Sequence, residues 1–287
     1  MGGMNSWTEL VHHHAPGVTL FKSDALRVLR TVGTASVDCV VTSPPYWGMR
    51  DYGADGQYGM EPTVEDYAAS LRRVFAEVKR VLTPTGTCWV NLGDSYGGSW
   101  GNYVAVGSSS RTAQDRVRER RHGAHRRPQS WMPRKSLIGL PRRVAFAMRQ
   151  DGWLLRSAVV WHKPNAAPES VRDRFSTSYE TVFLFAASDR HYLSSTSEAD
   201  LWSVPVRAYR GAHNAVGPVD IAAKAIELGC PRRGVVLDPF SGTATTGVAA
   251  RALGHRYIGI DLNPAFHDLA IARFAEQEGE TPWQPSR

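Results

Sequence analysis

The sequence predicts an α/β fold built on a mostly parallel sheet of seven strands, and three observations carry that prediction. Short apolar runs alternate with helix-patterned segments along most of the 287 residues. A strand, a glycine-bearing turn and a small-residue helix follow one another over 235–253. An earlier apolar run, over 37–42, stops at two consecutive prolines, which cannot donate to a strand ladder. The length supplies ample core for a single domain over 1–287. With 42% hydrophobic residues and no apolar run near 18 residues, a soluble chain without a membrane span is expected. No basic region followed by an apolar stretch opens the chain, so the expected location is cytoplasmic.

In chain order, Val18 to Phe21 reads as the first strand, with Asp24 leading a helix around Ala25 to Arg30. Val37 to Thr42 is the second strand. It ends in the corner Ser43-Pro44-Pro45-Tyr46-Trp47, where rigid backbone leaves the Ser43 hydroxyl and the Pro44 carbonyl as acceptors beside the flat face of Tyr46. Such a corner suits a planar, amine-bearing ring; read alone, it is equally a proline-terminated strand with core aromatics. Tyr67, Leu71, Val74, Phe75, Val78 and Leu82 give a helix over 64–82, and Thr87 to Leu92 is the third strand.

The stretch 98–133 is rich in Gly, Ser and Arg without a period, and reads as one inserted loop. Between Gly98 and Lys135 stand nine basic residues, Arg111, Arg116, Arg120 and Arg121 among them, against Asp115 and Glu119. That difference equals the whole net charge of +7. An arginine-rich segment in an otherwise balanced chain points to a polyanion partner. A solvated, disordered loop is the compatible alternative.

A helix over 140–151 and strands over 153–161 and 181–186 follow, then a short, poorly patterned stretch at 187–217 and a helix over 219–228. Cys39, Cys88 and Cys230 are odd in number and sit in apolar settings, as small core residues do. His12, His13 and His14 lack partner ligands, so no metal site is expected.

The second informative stretch is Asp238-Pro239-Phe240-Ser241-Gly242-Thr243-Ala244-Thr245-Thr246, between a strand at 235–237 and a helix over 247–253. Strand, turn and helix N-terminus in this order cradle a small ligand at the carboxyl end of a sheet strand. The next strand, 257–260, ends in Asp261, 23 residues after Asp238, where an acid holds the ribose of a nucleoside. Only Gly242 lets a ligand approach the backbone closely, so a nucleoside without phosphates fits better than a dinucleotide. A tight turn with a helix-capping aspartate is the structural alternative.

Taken together, Thr42 to Tyr46 and Asp238 to Thr246 resemble the amino-group DNA methyltransferases that use S-adenosylmethionine. Catalytic motif before cofactor motif is similar to their beta class, a circular permutation of the common methyltransferase fold. The Asp24 region, Trp161-His162-Lys163-Pro164-Asn165, Arg174 with Glu180, and the 213–218 segment add to the likeness, which spans about 18–275 apart from the Arg-rich loop. The resemblance implies a Rossmann-like sheet with helices on both faces. It implies that Phe240, Ser241, Gly242 and Thr245, with Asp238, Pro239 and Thr243, surround the methionine part of S-adenosylmethionine. Asp261 then holds the ribose and Asp24 the adenine amino group. Ala244 departs from the family's frequent glycine, which restricts the turn.

On the substrate side the resemblance implies double-stranded DNA with a flipped target base. Ser43 and the Pro44 carbonyl, stiffened by Pro45, engage the hydrogens of an exocyclic amine, and Tyr46 stacks on the base. Trp47, Trp161 and Lys163 are further substrate candidates, and the Arg-rich loop shares DNA contact with a short recognition segment at 187–217. Within the family, Ser-Pro-Pro-Tyr is more often associated with cytosine N4 than with adenine N6, so cytosine N4 is expected. Adenine N6 methylation and a catalytically idle DNA-binding relative are the alternatives. A cognate restriction endonuclease and a monomeric or homodimeric state complete the expectations.

Overall fold

The computed structural model describes residues 7–49, 52, 54–97, 132–206 and 217–278. Among them run nine strands: β1 Val11–Ala15, β2 Val18–Lys22, β3 Val37–Thr42, β4 Leu82–Leu92, β5 Leu154–His162, β6 Tyr179–Ala186, β7 Leu201–Ser203, β8 Val235–Asp238 and β9 Arg256–Asp261. The helices are α1 Ala25–Leu29, α2 Val64–Val81, α3 Leu140–Gln150, α4 Val219–Gly229, α5 Thr245–Ala252 and α6 Pro264–Glu278.

All nine strands form one sheet in the order β1-β2-β9-β8-β3-β4-β6-β5-β7. From β2 to β4 neighbouring strands are parallel. β6 is antiparallel to both β4 and β5, and β1 to β2. β8 lies between β9 and β3, so the two late strands are threaded into the middle of the early ones. The carboxyl ends of β3, β8 and β9 therefore emerge side by side, which is where an open parallel sheet binds its ligands.

Two apolar layers sandwich this sheet. Val28, Tyr67, Leu71, Phe75 and Met148, from α1, α2 and α3, pack on one face with Val40, Val90 and Phe185. Ala223, Ile226, Ala249, Ala250 and Phe274, from α4, α5 and α6, pack on the other with Cys39, Trp89 and Val236. The periodicity of α2 is the clearest case: Thr63 caps it by accepting from the Asp66 N–H, and Val64, Tyr67, Leu71, Val74, Phe75 and Val78 line its buried stripe. Cys39, Cys88 and Cys230 are buried free thiols within these layers.

The structure has nine strands where seven were expected. All seven are present; the additions are β1, whose sequence is Val-His-His-His-Ala, and the three-residue β7. Neither carries an apolar run to announce it, because β1 and β7 are the two edges of the sheet and need only one paired side. The three consecutive histidines thus belong to a strand, with His12 Nε2 2.8 Å from Asp268 Oδ1 on α6. α6 likewise lacks a pattern of its own: its amide at Ala265 is capped by Asn263 Oδ1, and over 264–277 His267, Ala270 and Phe274 are its buried residues. No described helix is long and apolar enough to cross a membrane.

Candidate active site

Pro44 and Pro45 end β3 at Thr42, and the last side chain of that strand reaches its neighbour. Thr42 Oγ1 donates to Asp238 Oδ1 at 2.6 Å, which joins the corner to the turn across 196 residues of sequence. Asp238 also accepts from the Phe240 N–H at 3.0 Å and from Thr246 Oγ1 at 2.9 Å. It is 4% exposed, and burial pushes its carboxyl up to about 6 against the three hydrogen bonds, which pull it down.

The turn after β8 is tied to β9 in the same way. Asp261 Oδ2 accepts from the Gly242 N–H at 2.9 Å and Oδ1 from the Asn263 N–H at 2.8 Å. Burial again dominates and raises Asp261 to about 6. Arg273 on α6 clamps the turn from outside through the Thr243 carbonyl at 2.6 Å. Two residues of the turn are left-handed: Gly242 at φ +50° and Ala244 at φ +56°. A Cβ built on Gly242 meets nothing within 4 Å, so its backbone faces open space. Ala244 bears the steric cost of that conformation, the restriction expected from an alanine there.

Between turn and corner lies a cavity of about 180 Å³. Its cofactor-side wall contains Pro239, Phe240, Ser241, Gly242, Thr243, Thr245 and Asp261, and its other end contains Ser43, Pro45, Asn91 and Trp161. Asp238 lines it as well. An open backbone at Gly242 beside a carboxylate with spare lone pairs fits the hydroxyls of a ribose. Tyr58 packs edge-on to Phe240 at 5.2 Å between ring centroids, giving a flat apolar wall for a ring. The residues present therefore fit a nucleoside-bearing cofactor.

Asp24 sits between two residues of the cavity wall, Ser23 and Ala25. It is the N-cap of α1, accepting from the Arg27 N–H at 3.0 Å, and its other oxygen accepts from the Tyr58 hydroxyl at 3.0 Å. Asp24 itself lines an adjoining hollow that shares Ala54, Gln57 and Tyr58 with the cavity.

On the corner, Ser43 is exposed and Pro44 is buried. Ser43 Oγ accepts from Asn91 Nδ2 at 3.2 Å. The Tyr46 hydroxyl donates to Glu180 Oε2 at 2.7 Å, and Asn91 Nδ2 lies 2.7 Å from the same oxygen and 3.0 Å from the Tyr46 hydroxyl. Lys163 Nζ completes the group 2.5 Å from Glu180 Oε1 and 4.6 Å over the Trp161 ring. Burial, then the charge of Glu180, holds the Tyr46 phenol well above its usual range, so it stays a neutral donor. Gly93 permits this assembly, because a Cβ there would come within 2.8 Å of Tyr46 Cε2.

Trp47 does not belong to this surface. It is 2% exposed in the core, with its indole N–H on the Glu61 carbonyl at 2.8 Å. Trp161 is both wall and core, 4% exposed with its indole N–H on the Val204 carbonyl at 2.8 Å. Arg111, Arg116, Arg120 and Arg121 lie outside the described residues. Asn91 and Tyr58 were not foreseen; the end of β4 at Asn91 was legible, but nothing in sequence told that β4 would stand beside β3. Among the described residues no three His, Cys, Asp or Glu side chains gather as metal ligands.

A mostly parallel sheet with a proline corner and a glycine turn on adjacent strand ends, joined by a hydroxyl–carboxylate bond, defines an α/β protein with a cavity fit for a nucleoside-type ligand. The DNA methylase family of N6 and N4 enzymes matches over residues 37–272, and the chain belongs to that family. It is 40% identical over 288 residues to the Type II methyltransferase M.Cfr9I of Citrobacter freundii, covering 94% of this chain and 93% of that one. The Type II methyltransferase M.XycI of Xanthomonas campestris pv. cyanopsidis is 41% identical over 273 residues, covering 91% and 89%. Among solved structures, PvuII DNA methyltransferase (cytosine-N4-specific) superposes with a TM-score of 0.68 at 18% identity over 90% of this chain and 86% of that one, a likeness of fold. The Thermus thermophilus protein TTHA0409, solved with S-adenosyl-L-methionine, superposes with a TM-score of 0.62 at 25% identity over 90% and 93%.

Proposed function

We propose that this chain transfers a methyl group from S-adenosylmethionine to the N4 amine of cytosine in double-stranded DNA, on a base turned out of the helix. The observation that carries the reading is Ser43: an exposed hydroxyl on the cavity, at the first position of a Ser-Pro-Pro-Tyr corner, directly across from the Asp238 to Thr246 turn.

When bound, S-adenosylmethionine supplies an electrophilic sulfonium methyl. The chain's own part is alignment and control of hydrogens. An exocyclic amine is a weak nucleophile while its lone pair is delocalised into the ring. Ser43 Oγ, with a lone pair left beside the Asn91 contact, and the Pro44 carbonyl accept its hydrogens and favour a pyramidal nitrogen. Tyr46, pinned by Glu180 and Asn91, fixes the ring's position. Asp261 orients the ribose and the open face of Gly242 admits the methionine portion. A cognate restriction endonuclease is the proposed biological partner, in keeping with the Type II relatives.

The test is direct: incubate the protein with duplex DNA and labelled S-adenosylmethionine, digest to nucleosides and identify the labelled species by mass. N4-methylcytosine is expected. N6-methyladenine would overturn the base assignment, and no labelled nucleoside would overturn the activity.

A further inference from the structure

The strands β5 and β6 are antiparallel neighbours, and the chain between them, 163–178, forms a loop at the end of the sheet that carries the catalytic corner. Its neck is closed by the Lys163 N–H on the Ser178 carbonyl at 2.7 Å and by the Lys163–Glu180 ion pair. Glu180 is the same residue that receives the Tyr46 hydroxyl, so the base of the loop is part of the site.

The crown of the loop is braced. Arg174 pairs with Glu169 at 2.6 Å, lies 4.0 Å over the Tyr96 ring and donates to the Phe175 carbonyl at 2.9 Å. Lys135 pairs with Asp173 at 2.5 Å. Tyr96 and Lys135 belong to the two described sides of the stem from which the arginine-rich stretch departs. That stem is held by the Gly97 N–H on the Ser136 carbonyl and the Lys135 N–H on the Gly97 carbonyl, both 2.7 Å.

On this braced crown Phe175 is 94% exposed; the next large hydrophobic among the described residues, Leu201, is 59% exposed. The loop's acids are engaged, Glu169 by Arg174 and Asp173 by Lys135, while exposed Arg172 has no ion pair among the described residues. A phenyl ring held out into water by anchors on both sides of its own backbone, next to a guanidinium without a counter-charge, matches a partner that offers stacked rings and phosphates. Phe175 is five residues from Glu180, so its Cα stands at most about 18 Å from that of the residue that holds Tyr46.

We infer that Phe175 enters the duplex stack at the place the target base leaves, with Arg172 on an adjoining phosphate. This rests on the methyl-transfer reading above. Extruding a base opens an unstacked gap, and an apolar side chain inserted there replaces the lost contact. Phe175 thereby holds the flipped state open without touching the reacting atoms.

The experiment uses the full chain and short duplexes carrying its target site, first located by sequencing methylated plasmid DNA. In one duplex the target is paired; in the other it stands opposite an abasic position and is already loosely stacked. Phe175→Ala should methylate the paired duplex roughly tenfold or more slowly than native protein, and the abasic duplex within about twofold, while Phe175→Leu keeps most of the rate. Cofactor affinity should be unchanged in both. Equal loss on the two duplexes, or no loss on either, overturns the inference. So does a change in oligomeric state without a selective defect on the paired duplex, which would make Phe175 a protein contact. Native protein inactive on every DNA overturns the methyl-transfer reading and this inference with it, and is distinct from the preceding results, in which native protein is active.

Discussion

Replacing Gly93 by alanine tests whether the rate depends on where the Tyr46 ring sits. Gly93 has no left-handed backbone requirement, so only space decides the outcome. The new Cβ would lie 2.8 Å from Tyr46 Cε2 and 3.2 Å from Cδ2, where ordinary contact begins at 3.4 Å. The ring must therefore retreat by about 0.6 Å. It cannot swing freely, because its hydroxyl is fixed at 2.7 Å from Glu180 and 3.0 Å from Asn91. Overpacking of this kind costs about 1–3 kcal/mol of stability. A displacement of about 1 Å at a reacting group costs on the order of 100-fold in rate, so roughly tenfold is expected here. Single-turnover methyl transfer measures the rate, urea unfolding the stability, and calorimetric titration the cofactor affinity, which should not change. Adding Tyr46→Phe to the alanine variant removes the pins on the ring, so the stability losses should be less than additive. An alanine variant with native rate and stability, or strictly additive losses, would refute the reasoning.

Asp261 should make cofactor binding pH-dependent. Its carboxyl, raised to about 6, must be ionised to accept the ribose hydroxyls, so affinity should fall as pH drops through 6 by up to about tenfold per unit, and Asp261→Asn should flatten the profile. In the ligand-free protein the sign is opposite. Folded-state values raised from 3.8 at Asp238 and Asp261 contribute stability that is complete below 3.8 and lost as pH rises through about 6, readable as a urea midpoint that shifts with pH. Ala244→Gly relieves about 1–2 kcal/mol of left-handed strain. It also forfeits a buried methyl, about 0.8 kcal/mol, and adds about 0.5–1 kcal/mol of unfolded-state freedom, so a net change within about 1 kcal/mol is expected. A loss beyond about 2 kcal/mol in urea unfolding would contradict that balance. Glu180→Gln leaves Lys163 without its counter-charge at a pair 19% and 16% exposed, and should cost about 1–2 kcal/mol, discounted for that residual exposure. It should slow transfer without weakening cofactor affinity; weakened cofactor binding would place Glu180 in the wrong half of the site.

Sequence alone determined the local pieces. Two prolines must end β3, the α2 stripe must face a core, and Gly242 must mark a turn between strand and helix, because each follows from backbone sterics or side-chain period within a few residues. The same locality explains the omissions. β1, β7 and α6 take their structure from neighbours rather than from their own patterns, and Trp47 looks like a site aromatic until its indole is found on the Glu61 carbonyl. Only the tertiary structure decided that β8 lies against β3, so that Thr42 and Asp238, 196 residues apart, share a hydrogen bond. It also decided that Glu180 reaches Tyr46 from an antiparallel strand two places along, and that the Asp24 carboxylate accepts from both α1 and Tyr58. Strand order is a long-range choice set by how whole faces pack, and no short stretch of residues encodes it.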